Sequence, residues 1–329
     1  VSAIFIFSQK QFKEHNESNV KIDFLIQNLF HLSKKLNRLN IPLTIISSSG
    51  FIEDPKHIEK LCKDREINKV FCNSQFGIDE EVRDLSVKNT LEKNNIKWES
   101  FHDQVIYKPG SLKTGQGHAY SVFTPFKRKW IENFDLNFLD IDYSYDIKDK
   151  QNFIPNISNF DFNFSKTHQV DMTLWGAGED VAQIKLEEFL NNKVTDYSKN
   201  RNDPILDGTS RISPYLALGV ISSKKCILEA LKINQFEFTS GNIGITKWID
   251  EIIWREFYKN IMFCFPKVSK GKPFQDYSNN IKWRYSENEF HAWKEGKTGF
   301  PIVDAAMRQL IHEGWMHNRL RMVVAMFFT

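Results

Sequence analysis

No stretch of this sequence approaches the roughly 20 consecutive apolar residues that a membrane-spanning helix needs, so no such span is expected. No leader with a basic start, an apolar centre and a small-residue cleavage site is visible either. Cysteine is scarce. Cys62, Cys72, Cys226 and Cys264 never fall in a C-x-x-C pair, which argues against a zinc ribbon, any other metal site or a dithiol redox motif. They read as the reduced thiols of a cytoplasmic protein. Neither G-x-G-x-x-G nor G-x-x-x-x-G-K-[ST] occurs, which excludes an ordinary dinucleotide or P-loop site. Charge of one sign is lacking as well: 44 Lys and Arg against 41 Asp and Glu leave a net +3, so no global field marks a nucleic-acid partner. Residues 241–329 do hold 13 basic against 9 acidic residues, a weak local pointer to a phosphate-bearing partner.

Aromatic residues, by contrast, are plentiful, with 28 Phe, 8 Trp and 9 Tyr, and the tryptophans gather towards the end of the chain. A length of 329 residues predicts two domains rather than one growing core. Residues 1–130 alternate β-rich runs (Ser2–Ser8, Ile41–Ser47, Ile67–Asn73, Ile96–Phe101) with helical stretches (Val20–Leu39, Pro55–Arg65, Asp79–Asn94). The first of these helices sets Ile22, Leu25, Ile26, Leu29, Leu32 and Leu36 on one face. This alternation predicts an α/β domain built on a parallel sheet with crossover helices. Residues 131–174 lose periodicity and are rich in Asn, Asp and Phe, as in Asn152–Ile157, and read as an ordered, irregular connector. From Trp175 to Thr329 only helical patterns remain: Glu179–Asn191, Ser222–Leu231, Thr246–Phe263, Asn288–Lys294 and Pro301–His312.

Three clusters carry chemistry. In Gly208-Thr209-Ser210-Arg211-Ile212-Ser213, hydroxyls and a guanidinium precede a helix, the donor set of a phosphate site. Taken alone, the segment reads first as an N-cap, since Ser and Thr are common caps. In Trp248–Tyr258, helical spacing puts Trp248, Glu251 and Arg255 on one face, with Glu251, Trp254 and Tyr258 along its edge. Packing accounts for the indoles but not for charges among them, since buried charge is costly unless paired. A Glu251–Arg255 salt bridge at i,i+4 is the plainer alternative. The third cluster runs from Gly296 to Leu310 and on through Gly314-Trp315-Met316-His317-Asn318-Arg319-Leu320-Arg321-Met322, with Trp315, Asn318, Arg319 and Met322 in one stripe. His317 reads as a satisfied structural histidine.

The segments T-S-R-I-S-P-Y-L-A-L-G, W-I-D-E-I-I-W-R-E-F-Y and G-K-T-G-F-P-I-V-D-A-A-M-R-Q-L…G-W-M-H-N-R-L-R-M closely resemble the cryptochrome/DNA photolyase family, above all its bacterial class I cyclobutane-dimer enzymes. V-F-T-P-F-K (Val122–Lys127) and W-G-A-G-E (Trp175–Glu179) extend the resemblance over essentially the whole chain. It implies a Rossmann-like antenna domain at 1–130 and an all-α FAD-binding domain at 175–329. By motif match, Tyr197, Thr209, Ser210, Arg211, Ile212 and Ser213 contact the FAD phosphates, while Trp248, Glu251, Arg255, Trp315, Asn318 and Arg321 line the rest of its cradle. The implied activity is light-driven repair of cyclobutane pyrimidine dimers by a monomeric bacterial enzyme. Trp254 stacks on a dimer flipped from the duplex, Glu251 hydrogen-bonds it, Asn318 sits near the flavin ring and Met322 contacts the dimer. Arg201 and Arg319 meet the DNA backbone, and Trp283 is the exposed end of a tryptophan electron relay. His15, Asp79, Glu80, Ser269 and Lys270 match the positions that hold a methenyltetrahydrofolate antenna, with Asp79 in place of an amide and Ser269 in place of a cysteine. Asp79 and Glu80 also suit the first turn of a helix.

Glu251, Trp254, Asn318 and Met322 together favour repair over a signalling cryptochrome, and the stretch W-M-H-N-R-L-R-M, where the (6-4) photoproduct group typically places histidines, speaks against that activity. The chain opens directly on the apolar run Val1–Phe7, without the family's W-F-R-x-D-L-R strand. It closes on the amphipathic Arg321–Thr329, before the inner members of the relay. It is expected to be truncated at both ends, with part of the flavin site beyond Thr329.

Overall fold

A computed structural model of the chain describes residues 1–139, 157, 160–162 and 168–329. Most of the connector expected at 131–174, including Asn152–Asn156, lies outside the described residues. The first part runs β1 (Ala3–Ser8), α1 (Gln9–Glu14), α2 (Asn19–Arg38), β2 (Leu43–Ser48), α3 (Asp54–Asp64), β3 (Lys69–Asn73), α4 (Ile78–Lys93), β4 (Lys97–Phe101) and α5 (Phe123–Glu132). All four strands fall where β-branched and aromatic runs predict them. β1 pairs with β2 and β3 with β4, both parallel, in the registers Ala3↔Leu43 to Ser8↔Ser48 and Lys69↔Lys97 to Asn73↔Phe101.

The strands make two separate pairs rather than one continuous sheet. Among the described residues no strand lies between β1 and β3, and Ile4, Phe5 and Ile6 share the wall of one cleft with Cys72 and Asn73.

The second part is helical: α6 (Glu179–Asn192), α7 (Tyr197–Asn200), α8 (Ser213–Leu218), α9 (Ser223–Ile233), α10 (Ile243–Cys264), α11 (Glu287–Lys294), α12 (Pro301–Glu313) and α13 (Asn318–Phe328). No helix among the described residues is long and apolar enough to cross a membrane.

α2 ties the two parts together. Ile22, Ile26 and Leu29 pack with Phe7, Leu43 and Ile45 under the β1–β2 pair, whereas Phe24 enters the helical core edge-on to Tyr215, 5.3 Å away. Leu32, expected on the buried face, is exposed. Further along, the Asn28 side chain donates to Phe24 O (2.8 Å) and accepts from Gly178 N (2.9 Å) at the start of α6. Gly178 has φ +105°, and a Cβ there would meet His31 Nδ1 at 2.7 Å, so both backbone and space demand glycine.

The main core gathers around α10, with Trp130, Leu186, Tyr215, Ile227 and Leu231 essentially inaccessible. Asn242 caps α10 by accepting from Ile245 N at 3.1 Å. Within the first turn, Gly244 lets the helix touch the preceding chain, since a Cβ would lie 2.1 Å from Val194 O and 2.5 Å from Thr195 O. This contact seats α10 against the segment leading into α7, and the candidate site grows from that junction.

Candidate functional site

Four polar contacts draw segment 197–211 between α10 on one side and residues 313–322 on the other. Arg201 Nη1 donates to Glu251 Oε1 at 2.5 Å, while its guanidinium lies 5.4 Å from the Tyr197 ring centre. Asn202 Oδ1 accepts from Arg319 Nε (2.9 Å) and Nη2 (2.7 Å), and Arg319 Nη1 reaches Met322 Sδ at 3.8 Å. Ser210 Oγ accepts from Trp248 Nε1 at 3.3 Å. Arg211 Nη1 donates to Glu313 Oε2 at 3.0 Å, and its guanidinium covers the Trp315 ring at 4.6 Å. Tyr197 and Trp248 are buried, and Phe189 packs against both rings. Burial, reinforced by the nearby Glu251 carboxylate, pushes the Tyr197 hydroxyl up to about 12.

The structure thus assembles Tyr197, Arg201, Ser210, Arg211, Trp248, Glu251, Trp315, Arg319 and Met322 around one surface. Asn318 is exposed at the start of α13. Arg321, on the same helix, donates from Nε to Met316 O at 2.9 Å, and burial lowers its guanidinium pKa. Ile212, not Ser or Thr, occupies the cap position of α8 and makes no side-chain cap bond. The capping role expected for the hydroxyls of this segment is therefore not taken up. Arg211 stands at φ +48°, in the left-handed region that a non-glycine side chain rarely adopts.

Two members of the second cluster behave differently. Arg255 does not pair with Glu251, which is held by Arg201. Its Nη1 donates to Gln104 O (2.5 Å) and Ser223 Oγ (3.1 Å), its Nη2 to Leu216 O (3.1 Å), and it lines the cleft of the α/β part. Burial pulls this guanidinium below its usual value. Trp254 stacks face to face on Phe123 of α5, with centroids 3.6 Å apart and planes at 9°, and Tyr258 stacks at 5.6 Å. One face of the indole is therefore backed by an aromatic ring.

Glu256 of α10 holds a position whose role residue spacing does not reveal. It is buried, and its carboxylate accepts from Ile106 N (2.8 Å), Tyr107 N (2.9 Å) and Trp130 Nε1 (2.9 Å). Burial pushes its carboxyl up, opposed by those three donors. The signal was a lone acid among apolar α10 neighbours, Ile252, Ile253 and Phe257, a setting that demands partners from elsewhere. His317 differs from its sequence reading too. Its Nδ1 accepts from Arg319 N at 3.2 Å and caps α13, but its buried Nε2 has no partner. Burial, then the Arg319 charge, lowers its pKa, favouring the neutral ring.

The candidate antenna residues are only partly joined. His15 Nε2 stands 4.0 Å from Asp79 Oδ2. His15 and Glu80 border the cleft between β1 and β3, a space of about 770 Å³ also lined by Asn73, Arg83 and Gln104. Glu80 folds back over the start of α4, where a Cβ on Gly77 would meet its Oε2 at 2.0 Å, as an acid of the first helical turn does. Ser269 donates locally to Pro266 O at 2.8 Å, and Lys270 is exposed at the end of the same 3-10 turn, Pro266–Lys270. Trp283 is exposed on residues 281–286, which form neither helix nor strand.

The donor set suits a flavin dinucleotide. Hydroxyls at Thr209, Ser210 and Ser213 with Arg211 match a pyrophosphate; Arg211 Nε makes no hydrogen bond and is only ion-paired with Asp207 Oδ1 at 3.8 Å, and the buried His317 Nε2 has no hydrogen-bond partner. Trp248, Trp315 and the Asn318 amide match a ring system with polar edges.

Comparison with known proteins agrees with this fit. Residues 1–143 match the family model described as DNA photolyase, and residues 248–329 that of the FAD binding domain of DNA photolyase. The chain is 34% identical over 331 residues to the deoxyribodipyrimidine photo-lyase of Vibrio cholerae, covering 100% of this chain and 70% of that protein. It is 36% identical to that of Buchnera aphidicola from Acyrthosiphon pisum, covering 100% of this chain and 68% of that protein. Among solved structures it resembles a class III photolyase from Agrobacterium tumefaciens (TM-score 0.86, 28% identity, 99% of this chain and 66% of that one). A Synechocystis cryptochrome shares the fold at TM-score 0.77 and 22% identity, over 99% of this chain and 68% of that one.

Proposed function

The chain belongs to the DNA photolyase family, and from that membership we propose that it serves the light-driven repair of cyclobutane pyrimidine dimers in DNA, with FAD as cofactor. The observation that carries the reading is the closing of segment 197–211 between α10 and residues 313–322 through Arg201–Glu251, Asn202–Arg319 and Arg211–Glu313. In this reading residues 1–130 form the antenna domain, 131–174 the connector and 175–329 the flavin domain. The protein works as a monomer in the bacterial cytoplasm, where its DNA substrate lies.

Thr209, Ser210, Arg211 and Ser213 hold the pyrophosphate, with Tyr197 and the Ile212 backbone beside it. Trp248, Trp315, Asn318 and Arg321 flank the ring system. Arg255 completes the cradle lining in this reading, with its guanidinium fixed by Gln104 O and Leu216 O. What the flavin supplies when bound is the light-driven loan of one electron to the dimer, with no net redox change.

The protein's own residues supply binding and orientation. Arg319 and Arg201 meet the phosphates beside the lesion, so binding weakens with salt. Trp254, backed by Phe123, offers its indole to the flipped dimer, whose disturbed stacking lowers the cost of flipping. Arg201 holds the Glu251 carboxylate in place, and Glu251 then receives the N–H of a dimer base. Met322 closes the apolar side. Trp283 is the point where electrons enter to keep the flavin reduced. A methenyltetrahydrofolate antenna at His15, Asp79, Glu80, Ser269 and Lys270 is the accessory light collector; the pair His15–Asp79 supports it.

Trp254→Ala tests the substrate side. Stacking on an aromatic is worth about 1–3 kcal/mol per base, so affinity for dimer-containing DNA is expected to fall roughly 5- to 150-fold while flavin stays bound. An unchanged gel-shift titration removes Trp254 from the dimer pocket.

A further inference from the structure

Arg211 stands between two carboxylates. Its Nη1 donates to Glu313 Oε2 at 3.0 Å, and its Nε lies 3.8 Å from Asp207 Oδ1. The two acids are not equivalent. Asp207 is already matched by Lys193, whose Nζ is 2.5 Å from Oδ2. Glu313 meets no other cation among the described residues, and its remaining side-chain neighbour is the neutral Gln309 amide, 3.5 Å from both carboxylate oxygens. Glu313 is therefore the principal counter-charge of Arg211.

The place is an unfavourable one for an acid. Glu313 is the last residue of α12, which Gly314 closes at φ +65°. The carbonyl end of a helix carries partial negative charge and disfavours a carboxylate, so the guanidinium opposite offsets a local penalty. Arg211 bears a cost of its own in its left-handed backbone at φ +48°, a conformation that gathers at ligand sites. Stability gives little reason for the pair. The two side chains are 31% and 29% exposed, and an ion pair so open to water contributes little.

Arg211 also belongs to the hydroxyl-rich run 209–213 read above as the pyrophosphate site. A carboxylate and a phosphate meeting at one guanidinium share a single positive charge and repel each other. We propose that Glu313 competes with the flavin pyrophosphate for Arg211 and thereby sets how tightly the dinucleotide is held. This rests on the reading of residues 209–213 as the pyrophosphate site. Binding exchanges one anionic partner of Arg211 for another, and the displaced carboxylate keeps the Gln309 amide. Gln309 is itself fixed, its Oε1 accepting from His317 N at 3.2 Å.

FAD binding by the whole chain in the dark, followed by quenching of flavin fluorescence, tests this without any light-driven turnover. Glu313→Gln and Glu313→Ala are each expected to tighten FAD binding roughly tenfold, a change of about 1.4 kcal/mol. Their thermal midpoints, followed by circular dichroism, should stay level or fall. A pair with a merely structural role would lose affinity together with stability, so a gain in affinity separates the two. Arg211→Gln alone is expected to weaken FAD binding severalfold. In that background Glu313→Gln should alter the affinity by less than about twofold, because both residues act through one contact.

Affinity that is unchanged or weaker in both Glu313 variants overturns the proposal. So does a gain of the same size surviving in the Arg211→Gln background, which would make Glu313 a direct repellent rather than a competitor. If Arg211→Gln leaves FAD binding untouched, the pyrophosphate reading of residues 209–213 fails. If it weakens binding while both Glu313 variants match the unmodified chain, only the role of Glu313 fails. No FAD binding by any form would remove the flavin reading and this inference with it.

Discussion

Glu256 offers the sharpest test of how the site is held in place. Its two carboxylate oxygens receive three N–H groups from two elements packed on α10: Ile106 and Tyr107 in the loop after β4, and Trp130 in α5. α5 also carries Phe123, the ring behind Trp254. Glu256→Ala would strand three donors in the interior. At about 1–3 kcal/mol for each unsatisfied group, less what is recovered by not burying a carboxylate, the loss is expected to be about 3–6 kcal/mol. Glu256→Gln should be milder. An amide oxygen at the Oε1 position keeps Tyr107 and Trp130, while the amide nitrogen faces the Ile106 N–H, so about 1–3 kcal/mol is expected. Urea unfolding followed by far-ultraviolet circular dichroism measures both, read as a midpoint shift at constant slope. Trp254 fluorescence reports whether the Phe123 stack loosens in the Gln variant before global unfolding. If the alanine variant lost less than about 1 kcal/mol, the carboxylate would not be the anchor described here.

Two further outcomes follow from the packing. Gly244→Ala forces a methyl group into Val194 O and Thr195 O; it should lower the thermal midpoint and weaken flavin binding together, and an unchanged midpoint would show that the α10 junction relaxes freely. The buried His317 ring has a folded-state pKa below the ordinary 6.5, so the unfolded chain binds the proton more tightly. Its contribution is complete above pH 6.5 and is lost as the pH falls from there towards the folded value. His317→Asn keeps a cap acceptor for Arg319 N and should flatten that acid slope in a series of unfolding curves, whereas an identical slope would assign it to another group.

Much of the fold could be read from the pattern of residues. The four strands, α2 and α10 lie where β-branched runs and 3.6-residue spacing predicted them, because each buries a continuous apolar face. The break between β1 and β3 was not legible, since strand pairing depends on what stands between strands and not on either strand's own residues. At the site, the three motif clusters do meet. Pairing within them was misjudged where a long side chain had two choices. Glu251 and Arg255 share a helix face, yet Arg201, fifty residues away, takes the carboxylate, and backbone carbonyls at Gln104 and Leu216 take the guanidinium. Glu256 was passed over because its partners are backbone N–H groups and an indole, which leave no trace in charge patterning. His317 looked satisfied because sequence shows a residue and not the second nitrogen of its ring.

The central claim is light-driven dimer repair on a flavin cradle formed by segment 197–211, α10 and residues 313–322. The most direct measurement loads the protein with FAD, reduces it, and follows loss of thymine dimers from irradiated DNA under blue light and in darkness. Dimer loss that requires light, and is reduced in Glu251→Gln with flavin still bound, is the predicted result. Bound flavin with no dimer loss in the light would contradict the account and point to a flavin photoreceptor instead.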